Sequence, residues 1–221
     1  MNKIAVELII FDLDGTLIDS KVDIANSVNY TLGRFHLPVL ENSIIYGYVG
    51  NGVLPLLNKV FAGSDKKNDM DEALKIFRVH YEKHLLENTR LYPGVMEILE
   101  CFSGVSMGVL SNKPERYVKK ILKGLKIARF FHVVIGGDTM ETKKPETEGI
   151  NMVIDTFKAG PGKTLIIGDG GVDIKTGKNV GVHTCGVSYG LRDRNELVEA
   201  GADIIIDDIR ELNNHIFVKK S

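Results

Sequence analysis

The chain has 221 residues, of which 43% are hydrophobic and 26% charged, and its formal net charge is −1. This length suits one sizeable domain or a core domain with a small accessory one, and it allows a core without disulfides or a structural metal. A net charge so close to zero provides no global basic field, so we expect no nucleic acid and no membrane as a partner.

The cysteines and the N-terminal sequence predict a cytoplasmic protein. Cys101 and Cys185 lie far apart with no His/Cys cluster near either, which fits a reducing compartment with both thiols buried. The first apolar segment, residues 4–11, is interrupted by Glu7 and is too short for a signal peptide, and no apolar run reaches membrane-spanning length.

Short apolar runs rich in β-branched residues predict the strands. Each run is cut off by polar residues or glycine, and their weak alternation is typical of strands that are buried on both faces of a parallel sheet. The runs are residues 6–11, 105–110, 131–135, 164–167, 182–187 and 203–206.

Apolar residues at helical spacing lie between the later runs and predict helices near residues 95–102, 118–125 and 150–157. Strands and helices that alternate along a chain are typical of a sheet with helices on both faces. The sequence therefore predicts an α/β fold with a doubly wound parallel sheet, a Rossmann-like core.

The stretch that follows the first run has a different pattern. Helical spacing near residues 22–32 and again near 71–86 is not accompanied by a convincing strand between them. We therefore predict a helical insertion, residues 17–90, directly after the first strand. The α/β core then consists of residues 1–16 and 91–221.

Several of the apolar runs end in polar residues suited to a single reaction. Parallel strands present their carboxyl ends at one edge of the sheet, where α/β folds bind ligands, so these residues are expected to meet. Asp12 and Asp14 are two residues apart just beyond the first run, and the chain can aim both at one pocket. With Asp169 they form an all-oxygen cluster, which favours a hard cation such as Mg²⁺.

These residue types predict phosphoryl transfer. A carboxylate in line with a phosphorus atom is a competent nucleophile, and a second carboxylate can protonate the leaving oxygen and later activate water. The Ser111 hydroxyl, nearby backbone N–H groups and a lysine would stabilise the non-bridging oxygens. Gly15 and Gly168 would let the backbone approach phosphate and metal closely.

The same residues resemble the four motifs of the haloacid dehalogenase superfamily of phosphatases, in the family's order and over nearly the whole chain. The nucleophile motif of that family reads DxDGT. The matching residues are Asp12 to Thr16 for this motif, Ser111-Asn112 for the second, Lys144-Pro145 for the third, and Gly168-Asp169 with Asp173 for the fourth.

The resemblance implies a role for each matching residue. It implies Asp12 as the nucleophile, Asp14 as the general acid/base and Lys144, preceded by a second lysine at Lys143, as the group that neutralises the phosphate. The implied magnesium ligands are Asp12, the Asp14 backbone carbonyl, Asp169 and Asp173, the last either directly or as a support. The implied phosphate contacts are Gly15, Thr16, Ser111, Asn112 and Lys144.

The helical insertion corresponds, by the same resemblance, to the cap of this family, a lid that excludes water and selects the substrate. Gly50, Asn51 and Gly52 are its implied substrate contacts. Within the superfamily these features are most similar to phosphoglycolate phosphatases, as are residues 111–114 and 134–145. The resemblance therefore implies a small phosphorylated metabolite, 2-phosphoglycolate, as substrate.

Other functions would use parts of the same residue set. A phosphomutase would form the same aspartyl phosphate and return the phosphate to a sugar, and access of water decides between the two reactions. A halide-removing enzyme would have no need of the acid/base at Asp14. A phospho-accepting signalling module shares the acidic residues, magnesium and lysine, but such modules are shorter and lack a helical insertion.

Two further patterns are interpreted without a catalytic role. His80 and His84 are one turn apart on a predicted helix, but no third ligand lies nearby in sequence, so we interpret them as solvated residues of the insertion. Residues 160–164 are similar to the end of a nucleotide-binding P-loop, but they precede a strand, whereas a P-loop follows one.

Overall fold

The computed structural model describes residues 3–218, and its centre is a six-stranded parallel sheet. The strand order β6-β5-β2-β7-β8-β9 places β2 at the point where the direction of winding reverses. The strands of this sheet are β2 (Leu8–Phe11), β5 (Ser106–Leu110), β6 (Val133–Ile135), β7 (Thr164–Gly168), β8 (His183–Val187) and β9 (Ile204–Ile206). The predicted doubly wound α/β fold is confirmed.

Two strand pairs lie outside the central sheet, and the sequence did not predict them. β1 (Ile4–Val6) pairs in parallel with β10 (Ile216–Val218). Glu7 separates β1 from β2, and its N–H donates to the Lys163 carbonyl over 2.8 Å, so the first predicted run forms two short strands. β3 (Ile18–Asp19) pairs antiparallel with β4 (Arg90–Leu91).

Helices connect the strands and cover the sheet. In chain order they are α1 (Lys21–Arg34), α2 (Asn42–Tyr46), α3 (Val53–Phe61), α4 (Met70–His84), α5 (Val95–Cys101), α6 (Glu115–Gly124), α7 (Glu148–Phe157), α8 (Gly171–Val180), α9 (Arg194–Glu199) and α10 (Leu212–His215). Short 3₁₀ turns occupy Ala128–Phe130, Pro161–Lys163 and Ile209–Glu211. In the described part of the chain, no helix combines the length and the apolar character needed to cross a membrane.

Strand β2 shows why the central strands consist of continuous apolar residues in the sequence. All four of its residues are buried, because hydrophobic clusters lie on both faces of the sheet. Leu8 and Ile10 belong to the cluster that includes Val153 of α7, whereas Ile9 and Phe11 belong to the larger cluster on the other face. Successive side chains of a strand point to opposite faces, so both faces require apolar residues here.

Helices α1 to α4 form the helical insertion, between strands β3 and β4. The antiparallel pairing of these two strands brings the start and the end of the insertion together, with Ile18 opposite Leu91 and Asp19 opposite Arg90. Two of these helices, α2 and α3, were not predicted from the sequence. The division of the chain into a core and a separate insertion domain of residues 17–90 stays a prediction.

The buried carboxylate of Asp23 fastens the base of this insertion. Asp23 lies in the first turn of α1 and is 1% exposed. Its two oxygens accept hydrogen bonds from the backbone N–H groups of Asn88 and Thr89, the Asn88 side-chain amide and the Thr89 hydroxyl, at 2.8 to 3.0 Å. One side chain therefore satisfies the donors of the segment through which the chain returns to the core.

The expectation that both cysteine thiols are buried is wrong for Cys101. Cys185 is buried in strand β8, but Cys101 is exposed. It is the last residue of α5, whose buried face is formed by Val95, Ile98 and Leu99. Position 101 falls on the opposite, solvent-facing side of the helix.

We expect Asp23→Ala to lower the free energy of unfolding by about 3 kcal/mol, because it leaves buried donors of Asn88 and Thr89 without an acceptor. Urea denaturation measures this loss. Asp65→Ala, which removes an exposed carboxylate, is the matched control and should change stability by less than about 0.5 kcal/mol. Equal stability of the two variants would contradict the role assigned to Asp23.

Candidate active site

The carboxyl ends of β2, β5 and β7 bring the predicted residues together. The N–H of Asp12 donates to the Ile167 carbonyl of β7 over 2.8 Å, so Asp12 continues the β2 ladder by one residue. The N–H of Ser111 does the same for β5 by donating to the Ile135 carbonyl over 3.0 Å. Both side chains are thus positioned by the sheet itself, at the edge where the winding reverses.

Of the adjacent lysines Lys143 and Lys144, it is Lys144 that enters the site. Its ammonium lies 2.6 Å from Asp12 Oδ1 and 2.5 Å from Asp173 Oδ1, and all three residues are buried. Burial by itself lowers the pKa of Lys144, but these two carboxylates outweigh it and raise the pKa above its ordinary value. Lys144 is therefore charged at neutral pH. Lys143, the other lysine of the pair, is exposed.

Asn112 positions Lys144. The Asn112 Oδ1 atom accepts the backbone N–H of Lys144 at 3.1 Å, and its Nδ2 atom donates to the Lys144 carbonyl at 3.2 Å. The side chain that was predicted to contact phosphate thus holds the backbone of Lys144. Direct phosphate binding by Asn112 stays a prediction.

Asp12, Asp169 and Asp173 form a carboxylate cluster, with ligand atoms within 4.8 Å of one another. The pKa of Asp12 is raised to about 7, mainly by burial and also by the Asp173 carboxylate, against the opposing effect of Lys144. Burial, then repulsion by Asp12 and Asp173, also raises the pKa of Asp169. A buried all-oxygen cluster with more negative than positive charge fits a hard divalent cation.

Asp173 belongs to the first turn of α8 and has two roles at once. Its Oδ2 atom accepts the Gly170 N–H at 3.1 Å, which caps the helix, and its Oδ1 atom meets Lys144. One side chain therefore caps α8 and contacts the lysine of the site.

Glycines make room for the Asp169 carboxylate. Gly15 has a φ of +89°, a conformation that side-chain-bearing residues rarely adopt, and a Cβ atom there would overlap the carboxylate. A Cβ on Gly190 would collide with the same side chain, and the Leu191 N–H donates to Asp169 Oδ2 over 2.7 Å. The Gly15 N–H donates to the Ile18 carbonyl over 2.9 Å. Gly15 therefore contributes space to the site.

The Asp14 side chain lies outside the carboxylate cluster. Its Oδ1 atom accepts hydrogen bonds from the Lys113 ammonium and the Ser20 hydroxyl. The same ammonium donates to the Tyr81 hydroxyl over 2.8 Å. None of Ser20, Lys113 and Tyr81 was predicted to have a role. Lys113 lies within residues 111–114, which match the family, but the sequence carries no signal for Tyr81, which is 32 residues from Lys113 on the insertion.

A cleft of about 580 Å³ opens above Asp12 and Asp14, between the core and the insertion. Its floor is polar and includes Ser111, Asn112 and Lys113. Its walls come from the insertion and from α6, and they are mostly apolar or aromatic. They comprise Ile24, Val49, Val53, Leu56, Phe77, Tyr81, Pro114 and Tyr117.

The three predicted cap contacts lie at the cavities of the site. Gly50 and Gly52 line the cleft, and Asn51 lines an adjoining cavity of about 250 Å³ that also reaches Asp169. Arg192 lines this smaller cavity and donates to the Gly47 carbonyl over 3.2 Å, a link between core and insertion that the sequence did not indicate.

Thr16 is fully buried and lies outside the lining of both cavities. Its carbonyl accepts the Tyr189 hydroxyl over 2.8 Å, while its own hydroxyl has no hydrogen-bond partner within residues 3–218. Its predicted phosphate contact stays a prediction.

His80 and His84 interact with neighbours on the insertion. Their rings stack with centroids 4.2 Å apart; His80 Nδ1 lies 3.0 Å from the Ser27 hydroxyl, and His84 Nδ1 lies 2.7 Å from Glu87. In the described part of the chain, the grouping of three or more potential metal ligands is the carboxylate cluster, which does not include them.

Known proteins are similar to this chain in sequence. Residues 9–187 match the family model described as haloacid dehalogenase-like hydrolase. Over 214 residues the chain is 36% identical to the phosphoglycolate phosphatase of Pseudomonas syringae pv. syringae (strain B728a), an alignment that covers 93% of this chain and 78% of that protein.

Solved structures share the fold. The crystal structure of a predicted phosphoglycolate phosphatase from Haemophilus somnus 129PT superposes with a TM-score of 0.87 at 28% identity, over 95% of this chain and 97% of that one. A Thermotoga maritima protein assigned as a β-phosphoglucomutase gives a TM-score of 0.74 at 24% identity, over 95% and 97% of the two chains. At this identity, the similarity to the Thermotoga maritima protein shows a shared fold and nothing about function.

We expect Gly15→Ala to abolish binding of a divalent cation, because the added methyl group would occupy the position of the Asp169 carboxylate. Isothermal titration calorimetry with Mg²⁺ measures the loss. Gly104→Ala is the matched control, since a Cβ atom at Gly104 meets no atom within 4 Å. Unchanged cation affinity in Gly15→Ala would show that Asp169 does not depend on this space.

Proposed function

Because the chain belongs to the haloacid dehalogenase-like hydrolase family and is a phosphatase, we propose that it hydrolyses 2-phosphoglycolate through an aspartyl phosphate formed on Asp12. The observation that carries this proposal is the buried Asp12 carboxylate, held 2.6 Å from the Lys144 ammonium on the floor of the cleft. A fixed carboxylate beside a fixed cation suits attack on a phosphate monoester.

The first step forms the covalent intermediate. One oxygen of Asp12 attacks phosphorus, and the bond between phosphorus and the leaving oxygen breaks. The Lys144 ammonium stabilises the non-bridging oxygens, and the Ser111 hydroxyl on the cleft floor is placed to donate to them. Asp14, which also lines the cleft, gives its proton to the leaving oxygen, so that glycolate departs as an alcohol.

The second step releases phosphate. Asp14, now a carboxylate, takes a proton from water as the water oxygen attacks phosphorus. The bond between phosphorus and Asp12 breaks, inorganic phosphate leaves, and both carboxyl groups return to their starting states. Asp14 therefore serves as acid in the first step and as base in the second.

The carboxylate cluster, together with the backbone carbonyl of Asp14, would hold Mg²⁺. When bound, this cation would supply positive charge that neutralises the phosphate oxygens and the crowded carboxylates. The donor set fits the ion, since it consists of oxygen ligands within 4.8 Å of one another in a buried site.

Support for the substrate comes from the relatives and from the cleft. A relative that is 36% identical over 93% of this chain has the name phosphoglycolate phosphatase. Gly50 and Gly52 of the insertion line the cleft, and Asn51 lines the smaller cavity beside the carboxylate cluster. We propose that all three contact the substrate, as residues of a cap domain. No feature of the site favours a phosphomutase, for which the chain shows likeness of fold alone.

We expect Asp12→Asn to lower phosphate release from 2-phosphoglycolate by about 10³-fold or more, because an amide cannot accept the phosphoryl group as a carboxylate does. A colorimetric phosphate assay with 2-phosphoglycolate and a panel of small phosphate esters measures the loss. Asp155→Asn, which alters an exposed aspartate of α7, is the matched control and should retain the wild-type rate. Full activity in Asp12→Asn would exclude Asp12 as the nucleophile.

Removal of divalent cations with a chelator should abolish phosphate release by the wild-type protein, and added Mg²⁺ should restore it, because the carboxylate cluster requires a counter-charge. The same assay in metal-free buffer measures both steps. Undiminished release after chelation would contradict the proposed cofactor while leaving Asp12 as a candidate nucleophile.

A further inference from the structure

The Lys113 ammonium joins the core to the insertion at the cleft floor. Lys113 follows β5, and its side chain is 7% exposed. The ammonium donates to Asp14 Oδ1 and, over 2.8 Å, to the hydroxyl of Tyr81 on α4. A buried ammonium is costly without partners, so these two contacts fix where the nitrogen lies.

Tyr81 is itself held from several directions. It is 1% exposed, its ring stacks on Phe77 with centroids 5.4 Å apart, and Tyr117 of α6 meets it edge-on at 5.5 Å. The Lys113 nitrogen also lies over the Tyr81 ring, 5.1 Å from its centroid. The position of the Tyr81 hydroxyl is therefore set by the packing of α4 against the core.

These contacts leave the Oδ2 atom of Asp14 available for proton transfer. Oδ1 accepts from both Lys113 and Ser20, and Ser20 stands where the insertion begins. Within residues 3–218, Oδ2 accepts no hydrogen bond from another group. Because these hydrogen bonds hold Oδ1 in place, the direction in which Oδ2 points is fixed as well.

We propose that Lys113 and Tyr81 form a latch through which the insertion positions Asp14 for proton transfer to the leaving oxygen, an inference that rests on the proposed function. Lys113 and Tyr81 are positioning residues. Packing of α4 against the core sets the Tyr81 hydroxyl, this hydroxyl and Asp14 together fix the Lys113 ammonium, and the ammonium orients Asp14. Asp14 is therefore oriented for proton transfer when the insertion packs against the core.

The latch predicts a specific dependence on the leaving group. Glycolate is a poor leaving group and requires a proton from Asp14, whereas p-nitrophenolate leaves phosphorus without one. A displaced Asp14 should slow the second step equally for both esters, but it should lower kcat/KM, which reports the first step, for the alkyl ester and spare kcat/KM for the aryl ester. A residue that only stabilises the fold would lower both values alike, and one that binds the carboxylate of the alkyl substrate would raise its KM, so a loss of kcat/KM for the alkyl ester that lies in kcat distinguishes positioning of Asp14.

The experiment compares kcat/KM for 2-phosphoglycolate, or for the alkyl phosphate that the wild type hydrolyses fastest, with kcat/KM for p-nitrophenyl phosphate. We expect Lys113→Met to lower the alkyl value by about 10²-fold and Tyr81→Phe by about tenfold, with less than about threefold loss for the aryl ester. The decrease should lie in kcat, with KM nearly unchanged. Tyr81→Phe retains the stacked ring and so decides the question if Lys113→Met does not fold.

Lys120→Met is the matched control. The Lys120 ammonium also links the core to α4, through the Glu82 carbonyl, but it does not touch Asp14, so the ratio should equal that of the wild type. Equal losses for both esters in Tyr81→Phe, or no loss, would overturn the latch while Asp12→Asn still abolished both activities. Retained activity in Asp12→Asn would instead overturn the proposed function.

Discussion

The site depends on the burial of three carboxylates around one ammonium. Asp12, Asp169 and Asp173 lie within 4.8 Å of one another, and Lys144 alone of the lysines contacts two of them, in the part of the chain described here. Burying charges costs free energy unless each is paired, so Lys144 stabilises the cluster, whose remaining negative charge fits a divalent cation. The glycines at positions 15 and 190, which clear space around Asp169, follow from the same requirement.

The insertion is held at two levels, each through an aspartate carboxylate. At its base, the two carboxylate oxygens of Asp23 accept hydrogen bonds from four donor groups of Asn88 and Thr89. Nearer the cleft, Asp14 is linked through Lys113 to Tyr81. The first contact holds the insertion where it leaves and re-enters the core, and the second ties its helix α4 to the reacting groups.

The cleft combines a polar floor with apolar walls, and this contrast suits the chemistry. Charged and hydroxyl groups line the floor of the cleft, whereas Val53, Leu56 and Phe77 of the insertion form part of its apolar walls. In such surroundings an electrostatic contact is stronger than in open solvent. The same walls limit the room that a leaving group can occupy.

The sequence by itself determined the parallel α/β core and two members of the carboxylate cluster, Asp12 and Asp169. These follow from local patterns, since strands buried on two faces must be apolar throughout, and polar residues at their carboxyl ends meet at one edge. Asp173 was indicated by the family resemblance, and the Asp14 side chain, which was expected in the cluster, lies outside it. The tertiary structure alone decided that Asn112 holds Lys144, that β1 pairs with β10, and that Lys113 reaches Tyr81. These contacts join segments distant in the chain, and their partners depend on how helices pack, which residue spacing does not encode.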